Sequence, residues 1–401
     1  MPDCGAICDI NNHHKITANE AESAALAVNN GCQLNCGDAY KWLKTAVATG
    51  LISEETITES VERLFEARFR LGMFDDDCIY DKIPYDVVEC EKHIELSRKM
   101  AQESMVLLKN DGILPLKHVN SIAVIGPNAD DKAVLLGNYN GTPSKYTTLL
   151  KGIQDATSAK VYFARGCDIV KEDIGYWAEQ PLNEAILAAK RADIVIMCMG
   201  LNGSIEGEEG DAYNGDMSGD KATLELPNSQ KILFDEIIKI GKPVIFVNIT
   251  GSCVNLSEQD EKCSAVIQCF YPGAEGGNAL ADILFGKVSP SGRLPLTFYK
   301  SVEDLPTFED YSMENRTYKF FKGKPVYPFG YGLTYSEIIE EWIDENTVML
   351  TNNGKFDTLY TVLKIDYIPH KSLAGFKKIL IKTGEKTICK FSASILDDCI
   401  N

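Results

Sequence analysis

The chain has 401 residues, 45% of them hydrophobic, and a formal net charge of −18 from 40 Lys+Arg against 58 Asp+Glu. That length has room for two or three domains with sizeable cores. The acidic balance excludes nucleic acid and an anionic membrane surface as partners, because phosphate binding needs a Lys/Arg surplus; it reads as surface solubility.

No segment reaches the ~18 apolar residues of a membrane-spanning helix. Met1-Pro2-Asp3-Cys4 lacks a basic region followed by an apolar run, so no secretory signal is expected. The thirteen cysteines are scattered and show no paired Cys-x-x-Cys spacing, which speaks against zinc. The expected compartment is a reducing cytoplasm with most thiols free and buried.

Taken in chain order, residues 1–75 form the first region. Residues 18–29 (ANEAESAALAVN) predict a helix, followed by a short strand-like stretch from Gly31 to Cys36. Ser53 is placed as an N-cap with Glu54 and Glu55 in the first turn. Ile57, Val61, Leu64, Phe65 and Phe69 fall on one face of the helix that follows, and Gly72 stops it. Helix, strand, helix, helix is a piece of an α/β fold rather than a fold by itself. Residues 76–100 read as a linker running into a helix.

The second region, 101–335, alternates strands and helices. Strands are predicted at Ser121–Gly126, Lys160–Ala164, Asp193–Gly200, Pro243–Asn248 and Ser264–Phe270, and crossover helices near 182–191, 227–239 and 275–285. The strands are continuous apolar runs, the pattern of parallel strands buried on both faces. An α/β/α sandwich follows. From 336 to 401 the pattern changes to short strands at Thr347–Leu350, Thr358–Ile368, Lys377–Ile381 and Thr387–Phe391, with Asn352-Asn353-Gly354 as a turn signal. That predicts a partial β-sandwich with fewer than the about seven strands such domains need.

A family resemblance enters through collinear motifs. Asp3-Cys4-Gly5-Ala6-Ile7 with Asp9-Ile10 and His14-Lys15, Leu34-Asn35-Cys36-Gly37-Asp38, residues 50–75 (GLISEETITESVERLFEARFRLGMFD), 126–153 (GPNADDKAVLLGNYNGTPSKYTTLLKGI), 271–286 (YPGAEGGNALADILFG), 291–299 (SGRLPLTFY) and 327–335 (YPFGYGLTY) resemble the β-xylosidase branch of glycoside hydrolase family 3. The resemblance covers nearly the whole chain, in order. It implies that 1–75 is the C-terminal remnant of a (β/α)8 barrel and that the last region is fibronectin type III-like. Both ends are then expected to be clipped, with about two of eight barrel units left, and little hydrolysis is expected of the chain alone. Gln33 stands where the family commonly has an acidic residue.

The resemblance also implies a retaining mechanism on terminal β-linked sugars, xylosides first, with glucosides and arabinosides open. Asp3 is then the nucleophile, and a second carboxyl serves as acid and base. Residues 200–226 (GLNGSIEGEEGDAYNGDMSGDKATLEL) form a long acidic loop after a predicted strand, where parallel sheets place chemistry. Glu208, after Gly207, fits the acid/base position best. Glu206 and Glu209 are rivals for it, and otherwise substrate-binding residues, as is His14. The bland alternative is a solvated acidic loop; EF-hand spacing for calcium is absent. The implied partner is a small oligosaccharide, with no cofactor and no metal, and self-association is left open. Cys4 and Cys36 sit at what would be adjacent strand ends, about 4.8 Å apart, and are expected to touch, reduced or oxidised. A second function class is a non-catalytic remnant that binds sugar weakly. A dehydrogenase is excluded, since no Gly-x-Gly-x-x-Gly follows the first predicted strand of the second region.

Overall fold

In the computed structural model, the described residues are 2–171, 179–206 and 221–392. They divide into two compact units, Met1–Val88 and Glu89–Asn401.

The first unit is helical. Its helices are α1 (Ala6–Asn12), α2 (Glu20–Asn29), α3 (Leu43–Ala48) and α4 (Glu54–Arg70). Asn19 caps α2 by accepting from the Glu22 N–H, and Ser53 caps α4 by accepting from the Thr56 N–H at 3.2 Å, which satisfies donors the helix leaves open. A small core of Ala21, Ala25, Val28, Ala46 and Ile52 joins α2, α3 and the start of α4, with Ile57 packed against it. The strand expected over Gly31–Cys36 is not formed. No strand occurs among the described residues of this unit, because a strand needs a ladder, and here one backbone bond, Gly5 N–H to Cys36 O at 2.9 Å, joins the two segments. The apolar stripe of α4 is present, but no residue of α4 is buried. Phe65 and Phe69 instead cluster on Phe74, at 5.8 and 4.6 Å between ring centroids.

The second unit begins with α5 (Glu91–Ser104), which starts within the stretch read as a linker. A six-stranded sheet follows: β1 (Val106–Asn110), β2 (Ser121–Ile125), β3 (Lys160–Ala164), β4 (Ile194–Gly200), β5 (Val244–Ile249) and β6 (Ala265–Gln268), ordered β1-β6-β5-β4-β2-β3. All neighbouring pairs are parallel except β1 with β6. The crossovers are α6 (Leu149–Ala156), α7 (Glu179–Arg191), α8 (Asn228–Ile238) and α9 (Ser257–Lys262); α10 (Gly276–Leu284), expected as a crossover, follows the last strand of the sheet and covers its face instead.

Because successive strand side chains point to opposite faces, each strand feeds two cores. Ala123, Ile125, Val195, Met197 and Phe246 pack with Ala185, Ala189, Leu233 and Phe234 of α7 and α8. Ile122, Val124, Ile196, Ile245 and Val247 pack with Leu149 and Ile153 of α6 and Leu280 and Ile283 of α10. Every residue of β4 and β5 is buried, which is why their runs are continuous in the sequence. Buried Asp282 of α10 accepts from Arg98 Nε and Nη2 at 2.7 and 2.8 Å and from Gln102 Nε2 at 2.7 Å, pinning α5 to the sheet's helical cover.

The described residues of the final segment hold five antiparallel strands: β7 (Ile338–Asp344), β8 (Thr347–Asn352), β9 (Thr358–Asp366), β10 (Ser372–Ile381) and β11 (Lys386–Lys390). They form a three-stranded sheet, β11-β8-β7, and a two-stranded one, β10-β9. Val348, Leu350, Val362, Ile381, Cys389 and Phe391 fill the space between the two. The Asn352-Asn353-Gly354 turn therefore carries the chain from one sheet to the other rather than closing a hairpin. Arg293 ties this segment to the sheet domain, donating to Thr361 O at 3.2 Å with its guanidinium 4.7 Å from the centre of the Tyr360 ring.

Candidate functional site

The connection out of β2 runs to β3 on one side, and the connection out of β4 runs to β5 on the other. The strand order reverses between β2 and β4, so their following loops diverge and leave a crevice at the carboxyl ends of the strands. The structure has such a crevice, of about 470 Å³, lined by Lys132, Leu136, Asn138, Asn140 and Tyr146 from the loop after β2 and by Gly203 and Ser204 from the loop after β4. Gly126 lets the end of β2 lie directly against the β4 backbone: its φ is +129°, and a Cβ there would lie 2.0 Å from Cys198 O, a position only glycine fills. Buried Asn128 donates to Leu201 O at 2.9 Å and so ties the two loops at their roots.

Glu206 lies at the end of the described part of the β4 loop. Its carboxylate turns inward, with its side chain 7% exposed. Oε2 accepts from the Gly251 N–H at 2.6 Å and from the Tyr271 hydroxyl. Oε1 accepts from the Ser252 N–H at 3.1 Å and from the Ser252 hydroxyl. Lys221 Nζ stands 3.7 Å from Oε1 and donates to Ser252 Oγ at 2.5 Å and Cys253 O at 2.9 Å. The charged ends thus share one serine hydroxyl. Burial pushes the Lys221 ammonium below the usual lysine range while Glu206 pulls it back up. Burial, and then the neighbouring Glu206 carboxylate, push the Tyr271 phenol well above its ordinary range.

Gly251 lets this cluster close. A Cβ there would lie 2.8 Å from Tyr271 Cε2 and 3.4 Å from Glu206 Oε2. Tyr271 in turn lies against Gly137 of the crevice wall, where a Cβ would meet Cδ2 at 3.4 Å. The Glu206 cluster therefore borders the crevice through a tyrosine ring.

Of the residues the sequence put forward, Glu206 is thus a saturated acceptor. Glu208 and Glu209 lie outside the described residues. Asp3 belongs to the first unit, is exposed, and accepts from the Cys4 N–H at 2.8 Å. His14 is exposed in the turn after α1, and its neighbour His13 places Nδ1 2.9 Å from Asp9 Oδ1. Cys4 and Cys36, expected to touch, are disulfide-bonded with Cα atoms 4.5 Å apart. Sequence reasoning missed Lys221, Gly251, Ser252 and Tyr271. Thr250-Gly251-Ser252 directly after a predicted strand was the available signal, since loops at the carboxyl ends of parallel strands build sites.

Among the described residues no group of three or more His, Cys, Asp or Glu side chains could hold a metal ion, and no helix is long and apolar enough to cross a membrane. What the second unit does present is a mainly parallel sheet with a crevice at its reversal point and a buried carboxylate, Glu206, behind the crevice wall. Residues 105–335 match the glycosyl hydrolase family 3 C-terminal domain, and the chain belongs to that family. It is 29% identical to a "Xylan 1,4-beta-xylosidase" of Xylanibacter ruminicola, over 96% of this chain and 63% of the relative. It is also 29% identical to a "Periplasmic beta-glucosidase" of Salmonella typhimurium, over 98% of this chain and 58% of the relative. A solved family 3 exo-beta-xylosidase, in complex with a xylobiose aziridine activity-based probe, superposes with a TM-score of 0.84 at 29% identity, covering 96% of this chain and 55% of that one. The chain thus spans a little over half the length of the proteins it matches.

Proposed function

We propose that the chain supplies the catalytic carboxylates of a retaining glycoside hydrolase that removes terminal β-linked xylosyl residues, an exo-1,4-β-xylosidase of xylan breakdown. The observation that carries this reading is the likeness, over 96% of the chain, to a solved exo-beta-xylosidase that holds a xylobiose-derived probe. In this reading Asp3 Oδ forms a bond to the anomeric carbon as the bond from that carbon to the leaving oxygen breaks. Glu208 gives its proton to that oxygen. Glu208 then takes a proton from water, whose oxygen replaces Asp3 on the anomeric carbon. The sugar released retains its β configuration, and no cofactor takes part. The segment from 1 to 75 serves as the closing units of a barrel, and the two small sheets after 336 as a fibronectin type III-like module.

A β-glucosidase is the second reading, favoured by the equal 29% identity to the Salmonella typhimurium protein. Hydrolysis of chromogenic β-xyloside, β-glucoside and α-arabinofuranoside, with wild type and Asp3→Ala, tests both. The first reading requires the xyloside to be hydrolysed fastest, at whatever low rate the chain alone retains, and that rate to fall to background in Asp3→Ala. A faster glucoside would select the second reading. A rate that survives Asp3→Ala would overturn the assignment of the nucleophile.

A further inference from the structure

We infer that Glu206 is a positioning residue, and that Glu206, Ser252 and Lys221 form a clasp that fixes both flanks of residues 207–220 to the loop after β5. The inference rests on the glycosidase reading for the consequence on rate, and on the geometry alone for the clasp.

The flanks are in question because Glu206 precedes and Lys221 follows that stretch, in which Glu208 and Glu209 fall. Both flanking side chains reach the same hydroxyl. Ser252 Oγ donates to Glu206 Oε1 and accepts from Lys221 Nζ at 2.5 Å. Lys221 also holds Cys253 O at 2.9 Å, and Thr250 Oγ1 donates to Ser252 O at 2.9 Å, so the receiving loop is itself braced. A carboxylate has about four acceptor sites. Here four hydrogen-bond donors and one ammonium face them. A general acid must instead turn a proton toward the leaving oxygen. The arrangement suits a group that stays in place while another carboxyl does the proton transfer. Glu206 therefore acts on the reaction through what it holds: the loop at Gly251 and Ser252, and the Tyr271 ring against the crevice wall.

The test uses the full chain and its Glu206→Gln, Ser252→Ala and Lys221→Met variants. Glu206→Gln keeps the shape but turns one acceptor oxygen into an N–H₂ that faces another donor. Hydrogen exchange read by mass spectrometry should show the Gly251 and Ser252 amides exchanging about tenfold to a hundredfold faster in Glu206→Gln, as expected for a lost charged acceptor. Amides of β4 and β5 should stay unchanged in all three variants. Unchanged exchange at Gly251 and Ser252 would overturn the clasp.

The rate measurement separates positioning from proton transfer. In Glu206→Gln, an activated dinitrophenyl β-xyloside and unactivated xylobiose should lose activity by similar factors, azide should not restore it, and the alkaline limb of the pH profile should not move. Selective loss on xylobiose, with azide rescue, would make Glu206 the acid/base and overturn the inference. Should the wild type hydrolyse neither substrate, as a chain spanning a little over half of its relatives' length is expected to do, the exchange result alone decides the clasp.

Discussion

Glu206 and Lys221 meet on a single side chain, the hydroxyl of Ser252, which donates to one and accepts from the other. Their charges stand 3.7 Å apart with side chains 7% and 19% exposed. Such a pair is strongly felt when broken, because each partner leaves the other buried and unmatched. Ser252→Ala should lower unfolding free energy by about 1–3 kcal/mol, the cost of leaving buried polar groups unpaired. Denaturant unfolding of Glu206→Gln, Lys221→Met and the double variant should show coupling of about 0.5–3 kcal/mol, the range for residues in one network. Strict additivity would contradict the contact.

Gly251→Ala tests the same cluster by shape. Its methyl group would lie 2.8 Å from Tyr271 Cε2, so the ring or the loop must move. Overpacking of this kind costs about 1–3 kcal/mol, and a drop in melting temperature measures it. Ligand binding in the crevice should weaken as well, because the Tyr271 ring forms part of its backing. A fully stable Gly251→Ala variant would mean that the loop after β5 is not held against Tyr271.

A pH dependence follows from Asp282. Burial raises its carboxyl, but the hydrogen bonds from Arg98 and Gln102, the Arg98 charge and Lys287 outweigh that and hold it below the ordinary aspartate value. A carboxyl with a lowered folded-state pKa contributes stability above its unfolded value, about 3.9, and loses that contribution as pH falls toward the folded value. Wild type should therefore lose stability below about pH 4, and Asp282→Asn should show a shallower acid limb in urea titrations. At neutral pH the variant should be less stable by on the order of 2–4 kcal/mol, the lower part of that range applying because Arg98 is partly exposed and screened. An unchanged acid limb would remove Asp282 from the account of α5 docking.

The disulfide gives a redox prediction. Cys4 and Cys36 close a loop of sequence separation 32, for which chain entropy predicts about 3–4 kcal/mol of stabilisation of the first unit. Intact mass under non-reducing conditions should be two hydrogens, about 2 Da, below that of the reduced chain. Reductant or Cys36→Ser should lower the unfolding transition of α1 and α2. Alkylation of both thiols without reduction would contradict it.

How far the sequence carried these conclusions differs by element. β4 and β5 were legible because a strand buried on both faces must be apolar throughout, and the strand predicted over Lys160–Ala164 coincides with β3. β1 was not, since Val106–Asn110 follows α5 with only Met105 between and reads as the end of a helix until its antiparallel pairing with β6 is seen. β7 was missed because the polar run Glu340-Glu341 hides a strand with mostly exposed residues. At the site, the acidic loop was legible but the choice among its glutamates was not. Which carboxylate turns inward depends on donors 45 and 65 positions away, at Gly251 and Tyr271, and no local pattern encodes that. The Cys4–Cys36 contact was legible only through the family resemblance.

The central claim, a retaining xylosidase site with Asp3 as nucleophile, is tested most directly by covalent trapping. A xylose-configured aziridine probe should esterify the nucleophile of a retaining enzyme, and peptide mass spectrometry locates the adduct. The account predicts one adduct, on Asp3 in the N-terminal peptide, and none in Asp3→Ala. An adduct on any other carboxylate, or β-xyloside hydrolysis with no adduct at Asp3, would contradict it.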